Sequence, residues 1–166
     1  MHTSDPDIPF RRLRAAARDE SGAALVEFAL ILPLLAVMLF GALDIGKAYN
    51  YWIDATHLAN EGARYAAVNR NPDPAAPSFL AAIKQQANTA ELRNGGTTSV
   101  PTPLEVCVYL PDGALVGGRV RVEVKSTYQF MSFIASKINL ASKTVVADST
   151  MRLERIPTTY ADGDCA

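Results

Sequence analysis

The sequence predicts an α+β protein: a long N-terminal transmembrane helix that extends into a small extracytoplasmic domain with a three-stranded antiparallel sheet. Three observations carry that reading. Residues 23–43 are apolar except for Glu27, and as a helix they span about 31 Å, enough to cross the hydrocarbon core. From Asp44 to Asn69 no proline interrupts the chain, and small or apolar residues recur at three- and four-residue steps. Beyond residue 100, stretches of strict apolar–polar alternation lie between turns bearing glycine and proline.

With 166 residues the chain has room for one span and one modest domain. Four parts follow: a basic cytoplasmic leader over 1–22, the transmembrane helix over 23–43, its extension over 44–70, and the extracytoplasmic α+β domain over 71–166. A net charge of −1 leaves no electrostatic footprint for nucleic acid. Arg11, Arg12, Arg14 and Arg18 precede the apolar run, whereas Lys47 is the only Lys or Arg from residue 44 to 63. By the positive-inside rule the amino terminus is cytoplasmic. A cleaved secretory signal fits less well. Its apolar region would be shorter, about 7–15 residues, and a small-residue site would follow. The cluster Ala15-Ala16-Ala17 lies on the wrong side of the run.

Within the span, Pro33 removes one backbone donor and crowds the carbonyl of Ala29, so a loosened turn is expected over residues 29–33. Past the span, Ile45, Ala48, Trp52, Ala55, Ala59, Gly62, Ala63 and Ala66 form the expected inward stripe of the helix. Lys47, Asn50, Asp54, His57, Glu61 and Arg64 form the expected solvated one. Tyr49, Tyr51 and Trp52 stand where an aromatic belt would sit. The prolines of Asn71–Pro77 break the helix. Ser78 caps a second helix, with Phe79, Leu80, Ile83, Ala87 and Leu92 in phase, and Asn94-Gly95-Gly96 stops it.

The first strand, Leu104–Leu110, turns Leu104, Val106, Val108 and Leu110 to one face, with Glu105, Cys107 and Tyr109 on the other. After the turn residues Pro111–Gly113 and Gly117-Gly118, Arg119–Lys125 alternates with Val120, Val122 and Val124 inward. The apolar segment holding Phe130, Phe133, Ile134 and Ile138 reads as a helical turn or loop that caps the core or touches the membrane surface. The last strand, Thr144–Glu154, faces inward with Val145, Ala147, Ser149, Met151 and Leu153. Three strands alone are thin, and they need the small-residue face of the long helix to bury their apolar side.

Chemistry is sparse. His57 has Asp54 and Glu61 at i−3 and i+4, but carboxylates beside one exposed histidine are common on solvated helices, and no metal site is expected. No nucleophile elbow, phosphate loop or supported carboxylate pair appears, so neither cofactor nor catalysis is expected. Asp162-Gly-Asp164 is too short for a calcium loop and reads as a frayed acidic tail. Cys107 and Cys165 both fall on the non-cytoplasmic side, where disulfides persist. Alternation turns Cys107 away from the valine face, so the tail can reach it. Closing that loop would stabilise by roughly 3–4 kcal/mol. The alternative is two unpaired thiols, one buried and one frayed.

Glu27 is the informative anomaly. A carboxylate in the span costs up to roughly 2–3 kcal/mol at the bilayer centre and less towards the interface. If the bond after Gly22 is cut, Ala23 gains a positive α-amine about one helical turn, roughly 6 Å, from Glu27. The amine of a neighbouring chain is the other available partner.

A basic leader ending in Gly22, an apolar helix and Glu27 at the fifth position after the cut resemble a type IV pilin-type processing site. The pair Glu27-Phe28, the run Glu27–Leu35 and the later Gly41-Ala-Leu-Asp-Ile-Gly46 resemble the TadE-like family, minor pilins (pseudopilins) of the Tad/Flp pilus assembly system. Met151-Arg-Leu-Glu154 is similar to that family's closing strand. The resemblance implies a pilin-like fold and a structural subunit processed between Gly22 and Ala23 by a prepilin peptidase. Glu27 and Phe28 would serve in subunit pairing. Implied partners are other pilins and pseudopilins, the inner-membrane assembly platform and the lipid bilayer. Ala23 departs from the aromatic or Met residue that begins many mature type IV pilins. The other reading is an uncleaved single-pass accessory or binding protein anchored in the bacterial inner membrane.

Overall fold

The computed structural model describes residues 20–130 and 142–166. The expected leader, apart from its last residues, and the expected apolar segment around Phe133, Ile134 and Ile138 lie outside the described residues. The element order is α1 (Glu20–Ala67), α2 (Phe79–Gln85), α3 (Ala90–Asn94), β1 (Glu105–Tyr109), β2 (Arg119–Gln129) and β3 (Ser142–Arg152). This is the expected α+β arrangement, a long apolar helix followed by a three-stranded antiparallel sheet in the order β1-β2-β3. The chain divides into two compact units, one ending at Leu39 and the other covering Phe40–Ala166.

In the first unit, α1 is apolar on every side. Its side chains from Leu25 to Leu39 are almost all exposed, Leu30 to 76%. The helix continues past Pro33, which has no N–H to donate to the Ala29 carbonyl. A helix that is apolar all round needs a nonaqueous surrounding, and α1 is long and apolar enough to cross a membrane.

In the second unit α1 becomes one-sided. Tyr51, Ala55, Leu58, Ala59, Ala63 and Ala66 are buried among the valines of β1 and β2. The expected stripe is therefore right for its alanines but misplaced at its start. Ile45 and Trp52 are 65% and 44% exposed, and Tyr51 and Leu58 take the inward positions. The small residues decide the spacing. A Cβ on Gly62 would stand 3.0 Å from Val122 Cγ1 and 3.6 Å from Ile83 Cγ2, so a larger residue there would have to push Val122 aside by a few tenths of an ångström.

The expected second helix is two short ones. Ser78 caps α2, its Oγ accepting from Ala81 N–H at 3.1 Å, and Thr89 caps α3 by accepting from Leu92 N–H at 3.3 Å. Between them, Asn88 donates its backbone N–H and its Nδ2 to the Asp54 carboxylate at 2.9 and 2.7 Å. Those bonds fix residue 88 outside helical hydrogen bonding. They also overturn the place given to Asp54: it is 4% exposed and faces inward rather than along the solvated stripe. Gly95 ends α3 at φ 64°, where a Cβ would lie 2.5 Å from Pro103 N.

Register in the sheet follows the alternation. Val106, Val108, Val120, Val122, Val124 and Tyr128 are buried on the helix side, and Val124 pairs with Val106 and Ala147. β2 runs four residues further than the alternation predicts, which brings Tyr128 into the core. The opposite face is charged. Glu123 receives Arg121 at 2.9 Å and Lys125 at 2.7 Å, and Arg121 lies 3.3 Å from Asp148. In the turn joining β1 to β2, Arg119 donates twice to Asp112 at 2.8 Å and holds its carboxyl down to about 2.

The acidic tail is not frayed. Val106 N–H donates to Ala166 O at 2.9 Å and Ala166 N–H returns to Val106 O at 3.0 Å, while Val108 exchanges bonds with Asp164 and Gly163. Asp162 Oδ1 accepts from Leu110 N–H at 2.7 Å. The tail thus covers the free edge of β1, which removes the exposed row of backbone groups a sheet edge otherwise presents. Cys107 and Cys165 stand opposite each other and are joined by a disulfide, with Cα atoms 4.1 Å apart. Tyr160 anchors the start of the tail, its hydroxyl donating to Ala66 O at 2.7 Å and its ring 5.2 Å from that of Phe79.

Replacing Cys165 by Ser is expected to lower the stability of the second unit by about 4 kcal/mol, the loop-closure value for a crosslink this distant in sequence. Denaturant unfolding of the detergent-solubilised protein and the variant checks this, and coincident transitions would count against it.

Candidate functional site

Gly22, Ala23, Glu27 and Phe28 all lie on α1 and are all exposed. The helix begins at Glu20, so the Gly22–Ala23 peptide bond sits inside its first turn. Ala23 and Glu27 are an i, i+4 pair, neighbours on one helix surface about 6 Å apart along the axis. Nothing comes within 4 Å of a Cβ placed on Gly22, Gly41 or Gly46. This stretch therefore presents one carboxylate in an open apolar surface, with Phe28 56% exposed beside it.

Where the apolar run ends, a ring of polar groups closes around α1. The Tyr128 hydroxyl donates to Asp44 Oδ1 and lies 3.2 Å from the Asp44 carbonyl. Lys47 Nζ lies 3.1 Å from Glu91 Oε2 and donates to Ser99 Oγ at 3.4 Å. Tyr51 donates its hydroxyl to the same Glu91 carboxylate. The rings of Tyr51 and Tyr128 meet edge-on at 5.6 Å, and Phe130 packs on Tyr128 at 4.9 Å. Asp44, Lys47 and Tyr51 lie on one face of α1, and each takes its partner from β2, α3 or the segment between α3 and β1.

This collar is absent from the reading of the sequence alone. Its signal was a polar set on the inward phase, Asp44, Lys47 and Tyr51 at i, i+3 and i+7. The sequence places Lys47 on the solvated stripe and gives Asp44 no role. Tyr51 is 2% exposed and belongs to the collar, so of the three expected belt aromatics only Tyr49 and Trp52 face outward. Those two stack at 5.7 Å.

The ionisation of the collar follows from its burial and pairing. Burial first, and then donation to Glu91, pushes the Tyr51 hydroxyl far up. Burial and the bond to Asp44 do the same for Tyr128. Donation from Tyr51, then from Lys47, holds the Glu91 carboxyl below its ordinary range.

The described residues assemble no catalytic constellation. Asp54 is committed to Asn88, Glu61 pairs with Arg64 at 2.8 Å, and His57 stands exposed. Glu105, Cys107 and Cys165 come close together, but both sulfurs are spent in the disulfide and neither is a thiolate.

Residues 22–64 match the family model described as TadE-like protein. The match covers α1 from Gly22 to Arg64 and is consistent with a TadE-like protein of the Tad pilus system, a structural family rather than an enzymatic one. Neither the curated proteins nor the solved structures give a match.

The collar predicts a pH profile. Glu91 ionises more readily folded than unfolded, so its contribution is complete above the ordinary carboxylate value of 4.5 and is lost as pH falls below it. Tyr160 is raised by burial to about 12, and Tyr51 and Tyr128 lie higher still. Unfolded tyrosines release protons at about pH 10, so stability is flat up to there and falls above it. Unfolding midpoints measured across pH check both limbs. The Glu91→Gln variant is expected to lose the part of the acid limb that this carboxylate supplies.

Proposed function

We propose that the chain is a minor pilin (pseudopilin) subunit of a Tad/Flp-type pilus, anchored in the inner membrane and processed after Gly22 by a prepilin peptidase. The observation that carries this is the position of Glu27, one helical turn past Ala23, in an exposed helix that is apolar on every other side. An isolated carboxylate in lipid is costly. An α-amine created at Ala23 offers the compensating charge, and it does so at the positive end of the helix dipole, where a carboxylate is also favoured. In a bundle of such helices both charges leave water together. An unpaired buried charge costs several kcal/mol, so the pair would reject neighbours packed out of register.

The proposed topology places the leader in the cytoplasm and residues 44–166 across the membrane from it. The helical surface around Glu27 and Phe28 would meet other pilins and pseudopilins, and the assembly platform would extract the helix from the bilayer. The domain would carry partner specificity at the tip or during initiation. A second reading has its own support. The Gly22–Ala23 bond lies inside a helical turn, and a peptidase needs that turn opened. An uncleaved, single-pass accessory protein would keep it closed.

The mass of the chain recovered from cells with an active peptidase separates the two. Processing yields a chain beginning at Ala23, and a chain that keeps its arginine-bearing leader excludes processing. Glu27→Leu is expected to insert normally, since it removes a polar residue from the span, but to be lost from purified filaments. Normal incorporation of the leucine variant would refute the pairing role.

A further inference from the structure

One covalent link and a short row of edge hydrogen bonds hold the acidic tail, residues 161–166, against β1. We infer that the Cys107–Cys165 disulfide is a redox clasp. Its reduction by a dithiol frees the tail and uncovers the edge of β1, while the rest of the second unit stays folded. The inference rests neither on the span nor on processing or assembly.

Three observations carry it. The first is what holds the tail. Residues 161–166 are all exposed, so none of them anchors the segment in the core. Apart from the disulfide, they meet β1 through bonds of Gly163, Asp164 and Ala166 to Val106 and Val108, and of Asp162 to Leu110 N–H. At a solvated edge, such a bond contributes no more than ordering one residue's backbone costs. Without the crosslink, those bonds do not keep the tail in one conformation.

The second is where the release stops. Just before the tail, Tyr160 is buried, donates its hydroxyl to Ala66 O and packs on the Phe79 ring. Asn69 Oδ1 accepts from the backbone N–H of Thr158 at 3.0 Å and of Thr159 at 3.4 Å. These contacts tie the chain to the end of α1 independently of the disulfide. On the other side of the clasp, β1 keeps its pairing with β2 and its valines in the core.

The third is the unequal access to the two sulfurs. Cys165 is exposed, whereas Cys107 is 1% exposed. An incoming thiolate therefore attacks Cys165 Sγ and forms a mixed disulfide there. The Cys107 sulfur leaves as a thiolate and takes up a proton. The reagent's second thiol then attacks its own sulfur in that mixed disulfide, closing the reagent's ring and releasing Cys165. Two electrons and two protons pass from the dithiol to the protein.

Release leaves the N–H and C=O groups of Val106 and Val108 and the N–H of Leu110 without their partners, in a row along one edge. An edge with unpaired backbone groups accepts another extended chain. The reduced form thus offers a strand-pairing surface that the oxidised form hides.

Hydrogen–deuterium exchange of the full chain in detergent, followed to single amides before and after dithiothreitol, tests this. Reduction is expected to speed exchange at Val106, Val108 and Leu110 by about tenfold or more. The amides of Cys107 and Tyr109, which alternate with those and face β2, should keep their protection, as should Ala59 and Val122. Oxidised dithiothreitol should restore the slow rates. The double variant Cys107→Ala/Cys165→Ala should match the reduced protein with or without reagent. Glutathione, a monothiol, should leave its adduct on Cys165. Unchanged protection after complete reduction means that the hydrogen bonds alone hold the tail, and it overturns the inference. Loss of protection at Ala59 and Val122 as well also overturns it, because the disulfide then staples the whole unit. So does an adduct found on Cys107, or a disulfide that dithiothreitol reduces only in denaturant.

Discussion

The burial of the sheet's valines against the small-residue face of α1, with Gly62 facing Val122, is the packing on which the second unit depends. A glycine inside a helix costs about 1 kcal/mol relative to alanine. Here that cost is offset by burial of Ala55, Ala59, Ala63 and Ala66 against Val120, Val122 and Val124. The sheet has only three strands and one apolar face, and its other face is a lattice of Arg121, Glu123, Lys125 and Asp148. It therefore has a single place to bury its valines, the small-residue face of α1. α2 and α3 then close the sides with Phe79, Ile83 and Leu92.

The same helix meets two solvents, and the collar is where it changes from one to the other. Packing through alanine and glycine is close but shallow, and it fixes rotation of the helix poorly. Directional bonds from Tyr128 to Asp44 and from Tyr51 and Lys47 to Glu91 supply that missing constraint. They come from β2 and α3, elements distant in sequence from α1. They act on the first two turns after the apolar run, where a membrane-anchored helix has just left its hydrocarbon surroundings.

What the sequence disclosed follows from how local each determinant is. Strand register was legible because Val120, Val122 and Val124 alternate without exception, and the alternation fixes which face is buried. The end of α3 was legible because Gly95 takes a backbone conformation that other residues resist. The break between α2 and α3 was not, because it depends on Asp54 reaching across to Asn88. The same bond explains why Asp54, expected on the solvated stripe, is buried. Periodicity placed the inward face within about one residue's rotation, and that error exchanged Trp52 for Tyr51. The acidic tail escaped for a related reason. Asp162 and Asp164 read as solvated charges, yet one carboxylate and one carbonyl complete the hydrogen bonds of β1, a long-range pairing that no local pattern announces.

Glu27 is legible in the sequence and yet finds its explanation outside the described fold. Every other carboxylate set in an apolar surrounding here has a partner within the chain: Asp54 has Asn88, and Glu91 has Tyr51 and Lys47. Those pairs keep their charge because the donors come with the fold, so desolvation is compensated as the domain forms. Glu27 lies instead in the first unit, on an exposed helix whose neighbouring side chains are apolar. Among the described residues, no ion pair or hydrogen bond compensates that carboxylate. Under the proposed processing, a cut beside Gly22 would create a compensating amine, and under the proposed assembly a neighbouring chain would bring one. Either would turn a costly residue into a condition on assembly.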